Sequence, residues 1–215
     1  MTESGTATRA AAATGPDFFP CGLVLLAAGA STRMGQPKQL LEVGGQPLLL
    51  RAVGAALAAP VWPVVVVLGA HAAAIRPSLA PHPVLVMENA AWAEGMASSL
   101  REGVATLTQF SRRLEGAIVA LADQPAFDAA VVRRLIEGHR TTGCDLVAAR
   151  YGGRQGAPAF FHRRLFPRLT GLTGEAGARD LLNGGDLPVA PIDLPALAAD
   201  LDTPEDLRRW RAGGG

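Results

Sequence analysis

The sequence predicts an α/β fold: a three-layer sandwich around a mostly parallel sheet. Three observations carry that reading. Short Val- and Leu-rich runs recur without in/out alternation, as strands do when both faces are buried. Segments of helical periodicity with helix-start residues lie between them. The polar residues that stand out follow the apolar runs directly, at the strand ends where open α/β sheets bind ligands. The chain of 215 residues is long enough for one domain with a sizeable core.

Taken in order, residues 1–20 hold no continuous apolar segment. They read as a flexible tail rather than a secretory signal. The domain is expected over 21–211, with a second tail at 212–215. "GLVLLAA" from Gly22 is the first strand. "QPLLLRAVGAALAA" is a helix with Pro47 near its first turn, where a missing N–H costs least. "VVVVLGA" from Val64 and "PVLVMEN" from Pro83 are buried strands. "SSLREGVATL" is a helix with Ser98 or Ser99 as N-cap. "GAIVALAD" from Gly116 is a strand. "DAAVVRRLIEGHR" is a helix capped by Asp128, with Val131, Val132, Leu135 and Ile136 on one stripe. "CDLVAAR" from Cys144 closes the series. Strand and helix alternate through at least four units, with no internal repeat and no linker long enough to divide the chain.

Lys and Arg number 20 against 19 Asp and Glu, which argues against a dedicated nucleic-acid binder. A small polyanionic ligand needs only a local cluster of cations. The longest apolar run, "WPVVVVL", is strand-sized, so no membrane span is expected. Cys21 and Cys144 form no CxxC, and no Cys/His set has zinc spacing. A reducing, cytoplasmic setting follows as the default. His71, His82, His139 and His162 show no ligand spacing and read as surface or cap residues.

"LAAGASTRMGQPKQLL" follows the first strand. GxGxxG fails there at Ser31, and the P-loop fails because Gly35 is followed by Gln36-Pro37-Lys38. Phosphate binding still fits. Ala27, Ala28 and Gly29 let a backbone approach a ligand, and Gly35 permits positive φ. Arg33 offers a forked donor and Lys38 a compact charge. The alternative is an exposed loop with surface cations. Asp123 stands at the end of a buried strand, where a carboxylate must be paired, hydrated or bound to metal; an Asx turn or a helix cap is the plainer reading. In "ADLDTPEDLRRW", Asp202 or Thr203 reads as a helix cap, leaving Asp200 freer to reach a metal.

"LAAGASTRMGQPKQLLEVGGQPLL" resembles the amino-terminal signature of the MobA-like nucleotidyltransferases, L-A-x-G-x-S-x-R-M-G-x-x-K-x-L. "DQP" and "DLDTPEDL" resemble that family's D-x-P motif and its D-x-D-T-P-E-D-L ending. The resemblance runs from about Gly22 to Trp210. It implies a Rossmann-like sheet of the nucleotide-diphospho-sugar transferase type. It implies that Leu26, Ala27, Ala28 and Gly29 pack against base and ribose, and that Arg33 and Lys38 hold a triphosphate. Asp123 and Asp200 would hold Mg²⁺, with Asp202 the alternative to Asp200. Catalysis would rest on Arg33, Lys38 and Asp123.

"ENAAWAEGMASSL" resembles the family's N-x-x-W-x-x-G-M-x-S-S-L segment beside the nucleotide. Asn89 would meet a base edge and Gly95 would allow close approach. Ser98 is either a ligand contact or a cap, and Trp92 reads as packing. "YGGRQGAPAFF" and "GLTGEAGARDLL" resemble acceptor segments of the molybdenum cofactor cytidylyltransferase branch, with Arg154, Gly156, Gly177 and Arg179 on the acceptor. A surface position for Arg154 and a helix-face salt bridge for Arg179 are the plainer readings. Ala157 stands where that branch has His, and Glu175 where it has Asp; both departures put the acceptor in doubt. The resemblance implies transfer of CMP from CTP to the terminal phosphate of molybdenum-loaded molybdopterin, with a molybdoenzyme or its chaperone as protein partner. Rival readings are a guanylyltransferase, a transferase with another phosphate acceptor, a non-catalytic cofactor chaperone and an oxidoreductase.

Overall fold

The computed structural model describes residues 19–175 and 177–213. Of the tails expected over 1–20 and 212–215, residues 1–18 and 214–215 lie outside the described residues. Strands are β1 (Cys21–Ala27), β2 (Glu42–Val43), β3 (Gln46–Pro47), β4 (Val64–Leu68), β5 (Leu85–Glu88), β6 (Gly116–Leu121), β7 (Leu146–Tyr151), β8 (Arg154–His162) and β9 (Val189–Asp193). Helices are α1 (Leu48–Leu57), α2 (Ala72–Leu79), α3 (Met96–Phe110), α4 (Ala129–Thr142), α5 (Phe166–Thr170), α6 (Arg179–Asn183) and α7 (Pro204–Ala212).

The main sheet runs β5-β4-β1-β6-β8-β7-β9. β1, β4, β5 and β6 are mutually parallel, and β9 runs parallel to β7. β8 is antiparallel to both of its neighbours. β7 and β8 form a hairpin across Gly152 and Gly153, both at positive φ. The run-by-run reading of the sequence missed β8 and β9, because neither is a continuous Val/Leu run.

Each inner strand sends alternate side chains to opposite cores. Cys21, Leu23, Leu25 and Ala27 of β1 join a core with residues of α1, α2 and α4. Val24 and Leu26 join another with α3, α5 and α6. Those two cores make the three layers. β1 and β4 are buried along their whole length, whereas β5, at the sheet edge, is only half-buried. A third, smaller cluster packs Val43, Leu48 and Leu201 against Leu207 and Trp210, which seats α7.

Two expectations at the chain's local features need correction. Phe19, placed in the tail, is buried, edge-on to Phe160 and His139, so ordered packing begins before residue 21. α3 starts at Met96 with Gly95 as N-cap, not at Ser98 or Ser99. The reason is that Ser98 turns inward: its hydroxyl donates to the Gly95 carbonyl at 2.8 Å and accepts from Asn89 at 2.7 Å. Asp128 does cap α4, accepting from the Val131 N–H. Thr203 caps α7 in a reciprocal capping box with Asp206.

Candidate active site

The loop after β1 is shaped by its own polar side chains. Ser31 adopts a left-handed φ of 55°, uncommon outside glycine. Its hydroxyl accepts from the Lys38 N–H at 3.2 Å. Gln39, almost wholly buried, donates to the carbonyls of Ala27 and Gly29 at 2.9 and 3.1 Å. From outside, the His71 ring meets the Ala30 carbonyl at 2.8 Å. This bracing presents the Ala27–Ala30 backbone to a cavity at the carboxyl ends of β1 and β6. Gln39 was not singled out from the sequence; a glutamine in a polar loop carries no signal of burial.

The cavity encloses about 660 Å³. Leu26, Ala27, Ala28, Gly29, Arg33, Lys38, Gly95, Asp123 and Asp200 all border it, and Asp202 joins them. Chain segments far apart meet here because the Leu201 N–H donates to the Asp123 carbonyl at 3.0 Å. That bond carries Asp200 and Asp202 to the end of β6.

The charged groups are interlocked. Lys38 Nζ lies 2.5 Å from Asp123 Oδ2 and 2.7 Å from Asp202 Oδ1. Arg33 reaches the other Asp202 oxygen at 2.8 Å while remaining 69% exposed. Burial alone would lower the Lys38 pKa, but the charges and hydrogen bonds of Asp123 and Asp202 outweigh it and raise it. Burial would raise the Asp202 carboxyl, but Lys38 and then Arg33 hold it below its ordinary range. Asp200 has no ion-pair partner among the described residues. Burial, with the Asp123 charge behind it, pushes its carboxyl up to about 6, and the Gln124 amide and the Arg154 charge, which lower its pKa, are outweighed. Asp123 Oδ1 and Asp200 Oδ1 are both buried without a hydrogen-bond partner.

Unsatisfied buried carboxylate oxygens are costly unless a cation or a proton meets them. Among the described residues, no group of three or more His, Cys, Asp or Glu side chains has metal-holding geometry. A divalent ion here would therefore use one or two carboxylates and complete its shell with water or ligand oxygens. That is the pattern Mg²⁺ prefers.

Three expected contacts, those of Asn89, Ser98 and Gly177, are not made. Asn89 does not reach the cavity. Its amide donates to Ser98 and Ser99 at 2.7 and 3.0 Å, and its carbonyl oxygen accepts from the Ala91 N–H at 2.9 Å. With its polar atoms engaged inside, it has none left for a base edge, and Ser98 is sealed in the same network. Together they brace the turn that carries Gly95 and Ser99 to the cavity wall. Gly95 sits at φ 107°, and a Cβ there would lie 2.6 Å from the Gly174 carbonyl oxygen, so only glycine closes this contact. Trp92, read as packing, is 36% exposed on the cavity wall.

Arg154, Gly156, Glu175 and Arg179 line the opposite wall. Arg154 and Arg179 are exposed, and their side chains show no hydrogen bond or ion pair with described residues. Gly177 does not line the cavity; it is buried beneath Met96. Asn183 ties α6 to β8 by bonding the Gln155 N–H and carbonyl, which sets this wall.

No helix among the described residues is long and apolar enough to cross a membrane. The chain is similar to several known proteins. Nicotine blue oxidoreductase of Paenarthrobacter nicotinovorans is 34% identical over 209 residues, spanning 91% of this chain and 98% of that protein. Purine catabolism protein PucB of Bacillus subtilis is 29% identical over 195 residues, spanning 85% and 92%. Rv0371c of Mycobacterium tuberculosis, solved in complex with manganese, superposes with a TM-score of 0.72 at 30% identity, covering 88% of this chain and 97% of that one. Residues 23–201, from β1 to the residue after Asp200, match the MobA-like NTP transferase domain, and the chain belongs to that family.

Proposed function

We propose that the protein is a Mg²⁺-dependent nucleotidyltransferase that moves CMP from CTP to the terminal phosphate of molybdenum-loaded molybdopterin, releasing pyrophosphate. The observation that carries the reading is Lys38 held between Asp123 and Asp202, beside two partnerless carboxylate oxygens. Such a set suits a polyphosphate with its cation: the ammonium and guanidinium exchange their carboxylates for phosphate oxygens.

The chemistry needs no serine or histidine base. The acceptor phosphate is already anionic. One of its oxygens forms a bond to the α-phosphorus of the nucleotide, and the bond from that phosphorus to the bridging β-oxygen breaks. The electron pair leaves on pyrophosphate. The obstacle is repulsion between anions and poor alignment. Lys38 and Arg33 offset charge on the nucleotide tail and on the leaving group, in a site already shaped for it. Mg²⁺, when bound, supplies further charge neutralisation on the phosphates.

Asp123 and Asp200 are the proposed ligands, since each presents an orphaned buried oxygen. A second reading replaces Asp200 by Asp202. It is favoured by the way Asp123 Oδ2 and Asp202 Oδ1 already converge on one cation, the Lys38 ammonium. Mn²⁺ binding to Asp200→Asn and Asp202→Asn separates the two. Rv0371c, solved with manganese, supports a divalent cation at such a site.

Ala27-Ala28-Gly29 resembles the CTP-using members of the family, whereas GTP-using relatives more often show Gly-Gly, and this supports CTP. Arg154 and Arg179, without side-chain partners among the described residues, support an anionic acceptor on the far wall. The name of the Paenarthrobacter relative invites a redox reading; the absence of GxGxxG in the loop after β1 weighs against nicotinamide binding. The deciding experiment supplies each of the four NTPs with Mg²⁺ and molybdenum-loaded pterin. Pyrophosphate release with CTP alone is expected. Release with GTP alone makes it a guanylyltransferase. CTP turnover with other phosphates and not with the pterin reassigns the acceptor. Failure with every NTP, together with tight pterin binding, leaves a cofactor chaperone.

A further inference from the structure

Gln124 follows Asp123, is 1% exposed, and has no part in the roles assigned so far. Its Nε2 lies 3.1 Å from the Tyr151 hydroxyl, 3.1 Å from the Ala157 carbonyl and 3.4 Å from the Leu197 carbonyl. The Tyr151 hydroxyl in turn donates to the Ala157 carbonyl at 2.7 Å. A Cβ on residue 156 would lie 2.5 Å from the Tyr151 oxygen, so Gly156 leaves the space this hydroxyl occupies. The other amide atom, Gln124 Oε1, is buried without a partner.

A buried amide with one atom unsatisfied is expensive, and an apolar side chain of similar size would avoid that cost. The three segments joined by its nitrogen are what the amide adds. One is the loop bearing Asp123. Another is the β7–β8 hairpin, whose Tyr151, Arg154, Gly156 and Ala157 form the acceptor-side wall. The third is the Pro195–Ala198 turn that leads into Asp200. The nucleotide side and the acceptor side of the cavity meet at this point.

We propose that Gln124 and Tyr151 are a positioning pair that locks the acceptor wall to the carboxylate segments, so that the two substrates meet at a set separation. The proposal rests on the nucleotidyl-transfer reading. Neither side chain is assigned contact with reacting atoms. Their effect is on alignment, where a displacement of about 1 Å costs on the order of a hundredfold in rate.

The test uses Gln124→Met, Tyr151→Phe and the double variant in the full chain. Mn²⁺ affinity is read by electron paramagnetic resonance, Mg-CTP affinity by calorimetry, and kcat and acceptor KM by pyrophosphate release. Tyr151→Phe deletes one oxygen, so it reports even if Gln124→Met fails to fold. Tyr151→Phe is expected to keep Mn²⁺ and CTP affinity within about twofold, while kcat falls about tenfold and acceptor KM rises. Gln124→Met is expected also to weaken Mn²⁺ binding about threefold or more, because the Asp200 segment loses a tether. The double variant should be no slower than Gln124→Met, as expected for two groups in one hydrogen-bonded unit. Turnover within about twofold of wild type in both single variants, or losses that multiply in the double variant, overturns the pair. If no NTP is turned over at all, the transferase reading falls separately. Mn²⁺ affinity then decides: unchanged binding in Gln124→Met overturns the proposal, and weakened binding with Tyr151→Phe unaffected supports it.

Discussion

Lys38 Nζ sits 2.5 Å from Asp123 Oδ2, across 85 residues of chain. The pair is mostly shielded from solvent, with side-chain exposures of 16% and 18%. Asp202 shares the same ammonium. Arg33, Lys38, Asp123 and Asp202 are ion-paired with one another, while Asp200 stands outside these pairs. On the proposed reading, a metal-nucleotide would exchange these partners rather than fill a neutral cleft.

Removing Lys38 tests that exchange. Lys38→Ala should lower the rate of pyrophosphate release on the order of a hundredfold, the scale of a lost preorganised contact. It also leaves Asp123 and Asp202 facing each other without their cation, so the melting temperature should fall. Mg²⁺ should restore much of that stability and little of the activity. Thermal melts with and without Mg²⁺, beside the rate assay, check both halves.

Asp123→Asn should cost on the order of a hundredfold in rate, and saturating Mg²⁺ should not recover it. Full activity in this variant at high Mg²⁺ would remove Asp123 from the site chemistry.

Asp200 gives a pH signature. Its carboxyl is raised from 3.8 to about 6 in the fold, mainly by burial and then by Asp123. The folded chain therefore holds this proton over a range in which the unfolded chain has lost it. Charged Asp200 costs stability above pH 6, and that cost disappears as the pH falls through 6 toward 4. Asp200→Asn should melt higher than wild type at pH 7.5. After solvent screening the gain is about 1 kcal/mol, or about 2–4 °C for a domain of this size. The difference should vanish near pH 4. Metal binding runs the other way: wild-type Mn²⁺ affinity should fall as the pH drops below 6, because protonation removes a ligand.

Asn89→Ala should destabilise the protein by about 1–3 kcal/mol in urea unfolding, because it strands the Ala91 N–H and removes the donor to the Ser98 and Ser99 hydroxyl oxygens. It should not alter the ratio of CTP to GTP turnover. A changed ratio would restore Asn89 to base recognition.

Thr203→Ala removes the acceptor for the Asp206 N–H and half of the capping box on α7. The expected loss is about 1 kcal/mol, measured by urea unfolding. Because Thr203 adjoins Asp202, Arg33 and Lys38 should also lose some of their orientation, seen as a higher KM for nucleotide.

What could be read from the chain alone was what neighbours in sequence determine. Continuous Val- and Leu-rich runs mark "GLVLLAA" and "VVVVL" as strands for burial on both faces, and Asp128 caps α4 by bonding three residues ahead. The loop after β1 stood out for the same reason, since Ala27 to Lys38 are contiguous. β8 was not, because its pairing with β6 and β7 rather than its composition makes it a strand. Ser98 looked like a cap until tertiary packing put the Asn89 amide beside it. The clustering of Lys38 with Asp123 and Asp202, and the different surroundings of Asp200 and Asp202, were likewise decided by folding. Electrostatic coupling depends on distances in space, and those are set only when strand order, the Leu201–Asp123 backbone bond and the α7 cap bring remote segments to one sheet end.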